Sequence, residues 1–304
     1  MEPIVLVFAI KGNYSAHLAV ALQSIFDTNQ MERFEVYLLA YDVQKNDIDK
    51  LKQMFESHES TLKIIDVAID QFKGLPISFH LDLSCYFRLL IPDIISADRA
   101  IYLDSDLVVN GSLRSLWEIE LGEYFLAAAP EFSRNMHPEL LFNQEFGYFN
   151  SGVMLINLKK WRKFQILESV LEFSKTNPKL IRFADQCGLN AVAMDNFLPL
   201  KTKFNFQGIF YDDSYVKPTK ISAAEMENSQ KKSIIIHFTG TTKPWHWSCK
   251  HPDRGLYWKY LRKTPFKRRF PENPSVINLL RWVAPKVVLE FFYQKKNRLK
   301  GLFN

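Results

Sequence analysis

Two patterns alternate along the first hundred residues, and that alternation restricts the chain to few folds. Residues 4–9, Ile-Val-Leu-Val-Phe-Ala, form an unbroken apolar run with the length of a strand buried on both faces. Helical spacing follows. Leu18, Leu22 and Ile25 share one stripe on the way to Thr28, with Asn13 and Ser15 as candidate N-caps. Residues 35–40 are a second strand, and from Asn46 a second helix carries Ile48, Leu51, Met54 and Phe55 at helical intervals. Residues 61–67 and 100–103 read as third and fourth strands. Strands separated by helices need crossover connections, so the expected fold is α/β, a mixed, mostly parallel sheet flanked by helices. Ligands of such sheets bind beyond the carboxyl ends of the strands, where residues 10–13 and 104–106 form loops.

Later strands are expected at 126–129, 151–157 and 233–238, with one helix over 159–174. A chain of 304 residues that is 47% apolar and 24% charged has ample material for a packed core, which excludes a disordered protein. Cys85, Cys187 and Cys249 are far apart and form no C-x-x-C pair, so neither a zinc site nor a disulfide framework is indicated, and free thiols fit a reducing cytosol. The first apolar run is too short for a signal peptide followed by a processing site, and no stretch of about 18 uncharged apolar residues predicts a membrane span.

Charge is unevenly spread. From Lys250 onward there are 14 Lys and Arg against 3 Asp and Glu, whereas residues 1–249 hold 25 basic and 30 acidic side chains. The expected organisation is a catalytic domain over 1–250 and a basic, aromatic, helical C-terminal extension over 251–304, with residues 265–274 as a Pro- and Arg-rich linker. In the extension Lys259, Arg262, Lys263, Lys267, Arg268 and Arg269 alternate with Tyr257, Trp258, Tyr260, Phe266 and Phe270. An amphipathic stretch with Trp282, Phe291 and Phe292 follows. This pattern suits an anionic membrane surface. The alternatives are a solvated helical pair packed on the body, or nucleic acid, for which no recognition module is present.

The sharpest local feature is Tyr102-Leu103-Asp104-Ser105-Asp106 at the end of an apolar run. Alternate residues of an extended chain share a face, so Asp104 and Asp106 can approach one cation together, and hard divalent cations favour such oxygen ligands. Alone, the pair also fits a polar turn after a strand. A second feature is Ile236-His237-Phe238-Thr239-Gly240 followed by Lys243-Pro244-Trp245-His246-Trp247. His237 can be a metal ligand or a core histidine. A glycine turn beside a lysine suits a pyrophosphate. Trp245 and Trp247 can either close over a sugar or fill core.

Four motifs in order, Val7-Phe8-Ala9 with Asn13-Tyr14, Tyr102–Asp106, Phe149-Asn150-Ser151-Gly152-Val153, and His237–Gly240 with Lys243-Pro244-Trp245, resemble glycosyltransferase family 8 from residue 4 to about 247. These are retaining UDP-sugar transferases with a Rossmann-like A-type fold, and the resemblance is nearest to bacterial lipopolysaccharide and lipooligosaccharide galactosyl- and glucosyltransferases. It implies transfer of a hexose from UDP-galactose or UDP-glucose to a lipopolysaccharide core or other lipid-linked glycan, with an α-linkage, at the inner face of the cytoplasmic membrane. Asp104, Asp106 and His237 would hold Mn²⁺, or Mg²⁺. Ala9, Ile10, Asn13 and Tyr14 would hold the uridine, Arg88 would steady the donor, Ser105 lies between the two aspartates, and Gly240 and Lys243 would hold the diphosphate. Asn150, Asp185 and Gln186 would lie at the reacting sugar, with the acceptor hydroxyl entering on the face that UDP leaves. Asp185 also reads as a helix N-cap, Asn150 as a turn residue and Arg88 as a surface ion-pair partner. Lys11 stands where the family has an acid near uracil, Cys187 replaces a second carboxylate after Asp185-Gln186, and Glu131 stands where an aspartate is usual. Two other readings remain. One is a nucleotide-sugar- or glycan-binding protein without turnover. The other is a sugar nucleotidyltransferase, whose glycine-rich loop Ile10-Lys11-Gly12-Asn13 does not match.

Overall fold

The computed structural model describes residues 2–77, 81–131, 147–194, 196–211 and 223–274. Its main sheet has seven strands in the order β3-β2-β1-β4-β7-β6-β8. They are β1 (Ile4–Lys11), β2 (Phe34–Tyr41), β3 (Thr61–Asp66), β4 (Arg99–Leu103), β6 (Leu126–Pro130), β7 (Phe149–Asn157) and β8 (Phe197–Pro199). Every pairing is parallel except those of β7, which runs against both β4 and β6. A second sheet joins β5 (Leu107–Val109), β10 (Ile235–His237) and β9 (Phe206–Gln207) in the order β5-β10-β9. The chain has the α/β architecture its alternation demands, a mainly parallel sheet flanked by helices.

Helix α1 (Ser15–Thr28) is buried along nearly its whole length because alanines and aliphatics surround it on all sides. It packs on β5, on α9 (Arg254–Leu261) and on α2 (Lys45–Gln53). Neither Asn13 nor Ser15 caps α1. Asn13 lies in a 3-10 turn over Gly12–Tyr14, and Tyr14 stands at the N-cap without a side-chain bond. Gly12 opens that turn at a φ of 58°, a conformation open to glycine at no steric cost.

The helix expected over 159–174 is two helices, α5 (Leu158–Lys163) and α6 (Ile166–Thr176). They are separated where Gln165 turns through the left-handed region. Helix α7 (Ala184–Ala193) then packs on α6, and the short α3 (Ile91–Ile94), α4 (Arg114–Trp117) and α8 (Ala223–Lys231) complete the set among the described residues. The 265–274 segment is docked rather than a loose linker. Phe266 joins the core beside Tyr257, Tyr260 and Leu261, and Glu272 bonds through its backbone to Trp245 and Trp247. The amphipathic stretch expected after Val276 lies outside the described residues. No helix among those described is long and apolar enough to cross a membrane.

Candidate active site

Strand order reverses between β1 and β4: β2 and β3 lie to one side, β7, β6 and β8 to the other. A crevice opens beyond the carboxyl ends of strands at such a reversal. Here it is a cavity of about 550 Å³, ordinary for a small-ligand site. Ala9, Ile10 and Lys11 at the end of β1 line it together with Tyr102, Asp104, Ser105 and Asp106 after β4.

Two sheets meet at Asp104–Asp106. β4 ends at Leu103 and β5 begins at Leu107, so these three residues carry the chain from the main sheet into the small one. Antiparallel pairing places His237 opposite Leu107, and the Phe238 amide donates to the Asp106 carbonyl at 3.0 Å. Register alone therefore brings His237 beside Asp106 across 131 residues of sequence. His237 Nε2 lies 3.1 Å from Asp106 Oδ1 and 3.6 Å from Asp104 Oδ2. One ligand atom from each of the three residues falls within 4.8 Å of the other two.

Gly152 makes that convergence possible. The Asp104 amide donates to the Gly152 carbonyl at 2.8 Å, so the two residues face each other across β4 and β7. A Cβ at Gly152 would lie 2.3 Å from His237 Cε1 and 2.5 Å from Asp104 Oδ2. Two half-buried carboxylates and a buried imidazole, pressed together over a glycine, are a donor set that suits a divalent cation. Neighbouring ligands of an octahedral shell at 2.0–2.1 Å stand about 3 Å apart.

Cationic side chains are interleaved with the acids. Arg88 is buried, not the surface ion-pair partner of the alternative reading. It lies on a 3-10 turn over Leu83–Leu90 that Asp82 caps at the Ser84 amide. Its guanidinium donates to Asp104 Oδ1 at 3.0 Å and to Ser151 O at 2.6 Å, and pairs with Asp185 Oδ2 at 3.1 Å. Lys243 donates to Asp106 Oδ2 and, at 2.9 Å, to the Phe238 carbonyl. Burial alone would raise the Asp106 carboxyl, yet Lys243 and His237 hold it well below the usual carboxylate range. Burial pushes Asp185 up to about 7 against the opposing pull of Arg88.

Asp185 is not the N-cap of α7. Phe183 occupies that position, and the Asp185 carboxylate turns inward to Arg88 and to Ser151 Oγ at 3.2 Å. Asn150 is a strand residue of β7 rather than a turn residue. It donates to Glu131 Oε2 at 3.0 Å and Gln186 Oε1 at 3.2 Å. Tyr14, Gly240, Asn150, Asp185, Gln186, Arg88, Lys243 and His237 all line the cavity, as do Lys11 and Glu131. Asn13 is not among the lining residues, and its carbonyl instead accepts from Arg269 at 3.0 Å. Trp245 belongs to the core, stacked on His17 with ring centroids 3.5 Å apart, and neither it nor Trp247 lines the cavity.

Sequence reading quoted Ser151 and Gly152 only as members of a motif, without a role, and passed over Asp82 and Asn205. Asn205 is fully buried and bonds to both His237 and Asn150. Its one signal is an amide side chain set between Phe204 and Phe206, a polar group enclosed by apolar neighbours that must find partners.

The model of the family described as glycosyl transferase family 8 matches residues 5–249. Among curated proteins, General stress protein A of Bacillus subtilis (strain 168) is 27% identical over 271 residues, covering 87% of this chain and 94% of its own. A lipopolysaccharide 1,2-glucosyltransferase of Escherichia coli is 30% identical over 247 residues, covering 79% and 72%. Among solved structures, galactosyltransferase LgtC in complex with donor and acceptor sugar analogs superposes with a TM-score of 0.77 at 25% identity, covering 88% of this chain and 98% of LgtC. The chain belongs to glycosyl transferase family 8 and is a glycosyltransferase.

Proposed function

We propose that this enzyme transfers galactose or glucose from a UDP-sugar to a lipopolysaccharide-type or other cell-surface glycan, forming an α-linkage, with Mn²⁺ held by Asp104, Asp106 and His237. The carrying observation is the convergence of those three ligand atoms in one cavity with Arg88, Lys243 and the amide-rich wall of Asn150 and Gln186. The hexose and the glycan class are supported by the names of the relatives, a lipopolysaccharide 1,2-glucosyltransferase and a galactosyltransferase.

Bound there, a divalent cation would supply positive charge to the leaving diphosphate, the electrostatic contribution that usually dominates such a step. The Lys243 ammonium bonds to Asp106 and lines the cavity together with Gly240, placed to donate to a diphosphate oxygen. Tyr14 and the backbone of Ala9 and Ile10 line the part of the cavity built by β1, suited to the uridine.

Retention requires either a nucleophile on the far face of the sugar or attack on the face that UDP leaves. The hydrogen bonds favour the second course. Asp185 is held by Arg88 and Ser151, and Gln186 Oε1 accepts from both the Ser151 amide at 3.0 Å and Asn150 Nδ2. Both candidate nucleophiles have lone pairs already engaged. They position the sugar while the acceptor hydroxyl attacks the anomeric carbon, the bond to the UDP oxygen breaks, and the departing phosphate oxygen takes the hydroxyl proton.

The 251–304 extension is assigned to docking on an anionic membrane at the cytoplasmic face. Support comes from its 13 basic against 3 acidic residues and from Phe270, 82% exposed between Arg269 and Pro271. Co-sedimentation with vesicles rich in anionic lipid should fall when residues 275–304 are removed, and unchanged affinity refutes the docking.

The deciding experiment measures UDP release from UDP-galactose and UDP-glucose with and without Mn²⁺, with the product linkage read by NMR on truncated core acceptors. Asp106→Ala should abolish turnover. A β-linked product, or full activity of that variant, overturns the proposal. Binding without turnover would select the reading of a nucleotide-sugar-binding protein.

A further inference from the structure

Whether an imidazole can hold a cation depends on which nitrogen keeps the proton, and here the backbone decides it. The Gly152 amide can only donate, and it points at one oxygen of Asn150 at 3.0 Å. That atom is therefore the Asn150 carbonyl oxygen, and the other end of the amide is its NH₂. The Ser151 amide fixes the Gln186 oxygen in the same way at 3.0 Å, and Asn150 Nδ2 then donates to that oxygen and to Glu131. Two independent backbone donors agree on the orientation of Asn150.

The consequence passes one residue further. Asn205 meets the Asn150 oxygen at 2.9 Å, so the atom it presents there must be its NH₂ group. Its other end, which faces His237 Nδ1 at 3.0 Å, is then an oxygen and only accepts. The proton of that contact belongs to His237 Nδ1. The Nε2 atom is left to face Asp106 and Asp104, at 3.1 and 3.6 Å.

We infer that Asn205 is a positioning residue that pins the proton of His237 on Nδ1 and so reserves Nε2 for a cation, its own orientation being dictated by the Gly152 amide through Asn150. The inference rests on the proposed metal role only for its consequence, since the tautomer follows from the hydrogen bonds themselves. Partners of this kind orient metal-binding histidines and raise their basicity, and their loss costs about 10- to 100-fold in metal affinity. Relay through Asn150 also ties the cation end of the cavity to the Gln186 and Glu131 end, so a change at either asparagine reaches both.

Two measurements test this. In protein labelled with ¹⁵N-histidine, the His237 resonances, assigned with a His237→Gln variant, should show a protonated Nδ1 in the metal-free protein and in the presence of Mg²⁺. A bare Nδ1 overturns the inference. Mn²⁺ affinity, read by the loss of the free-ion EPR signal, should fall about 10- to 100-fold in Asn205→Leu, which keeps shape but not the acceptor. The loss should be smaller in Asn205→Asp, which keeps an acceptor toward Nδ1 although it gives up the donor to Asn150. Wild-type affinity in Asn205→Leu, or an equal loss in both variants, overturns the role. Should wild-type protein fail to bind Mn²⁺, the proposed metal site falls while the NMR result still decides the tautomer.

Discussion

Replacing Gly152 with alanine adds one methyl group and is expected to disable the site. An alanine Cβ would lie 2.3 Å from His237 Cε1, whereas carbon atoms settle at about 3.5 Å, so a displacement of about 1.2 Å is needed. Asp104 Oδ2, at 2.5 Å, must also retreat. Neither side chain is free to swing. Asp104 is held by Arg88 and the Tyr102 hydroxyl, each at 3.0 Å, and His237 by Asn205 at 3.0 Å. The alternative is for β7 to draw back from β4, which breaks the 2.8 Å bond from Asp104 N to Gly152 O.

Either way the three ligand atoms lose their spacing. We expect Mn²⁺ affinity to drop about 10- to 100-fold, or about 1.4–2.8 kcal/mol. Turnover at saturating metal should fall about 100-fold, since misplacement by about 1 Å carries that cost. Mn²⁺ titration by EPR and UDP release measure the two effects. Gly188→Ala is the control. Its Cβ would meet Val170 Cγ1 at 2.7 Å between α7 and α6, so it should lower thermal stability through overpacking by about 1–3 kcal/mol while leaving Mn²⁺ affinity within about twofold. Wild-type Mn²⁺ affinity in Gly152→Ala would refute the reasoning, because the glycine would then have no part in bringing the ligands together.

Asp185→Asn should lower kcat by about 10²-fold or more while the product stays α-linked and no covalent sugar adduct appears by mass spectrometry; a trapped adduct on any protein side chain would exclude same-face attack. Arg269→Ala should raise the donor KM several-fold with little change in kcat. Arg269 bonds to the Asn13 carbonyl beside Tyr14 and to Glu272 at 3.0 Å, and Glu272 in turn pairs with the Trp245–Trp247 backbone, so the residue clasps the turn that carries the cavity-lining Tyr14 to the segment that follows the cavity-lining Lys243. An unchanged KM would show that this clasp does not shape the donor site. His17 is buried, and burial together with Arg269 pushes its imidazole well below the ordinary histidine range. Its neutral form is the one folded, while the unfolded chain takes up a proton below about pH 6.5, so this contribution is present above that pH and is lost as pH falls. Urea unfolding should lose up to about 1.4 kcal/mol per pH unit from this residue as pH falls below about 6.5, and His17→Gln should show a shallower slope; equal slopes would remove His17 as the cause.

Legibility followed the physics of each pattern. Runs such as residues 4–9 could be read because a strand buried on both faces admits only apolar side chains, and Asp104 and Asp106 because acids at a strand end interrupt such a run. The single helix expected over 159–174 was misread because its apolar spacing stays nearly in phase across Gln165, and a left-handed turn at a glutamine leaves no sequence mark. Asn13 sits in the 3-10 turn that carries a matching motif, yet it lies outside the cavity lining because only Tyr14 of that turn borders the space. Asp185 looked like an N-cap from its place at a helix start. Only the partner across the fold, Arg88 on a turn nearly a hundred residues earlier, draws its carboxylate inward. Asn205 was invisible because an isolated asparagine has no periodicity. Its meaning exists only once β9 and β10 are paired and His237 lies beside it.

Charge around the cavity connects these particulars. Among the described residues the lining carries five carboxylates, on Asp82, Asp104, Asp106, Glu131 and Asp185, against three cationic side chains, on Lys11, Arg88 and Lys243. Protonation of Asp185, pushed up to about 7, still leaves the walls negative on balance. Such a surface opposes a nucleotide diphosphate, and the cations that could offset it are engaged, Arg88 with Asp104 and Asp185, Lys243 with Asp106, and Lys11 facing Asp82 at 3.9 Å. Lys243 becomes available to a phosphate only when Asp106 is neutralised from another side. The fold places His237 Nε2 and Asp104 at that other side, and no further basic residue among the described lining side chains. An excess of acid at the meeting of two sheets would be a liability in a purely structural corner. It becomes coherent if the deficit of positive charge is made good by a divalent ion that arrives with, or ahead of, the anionic donor.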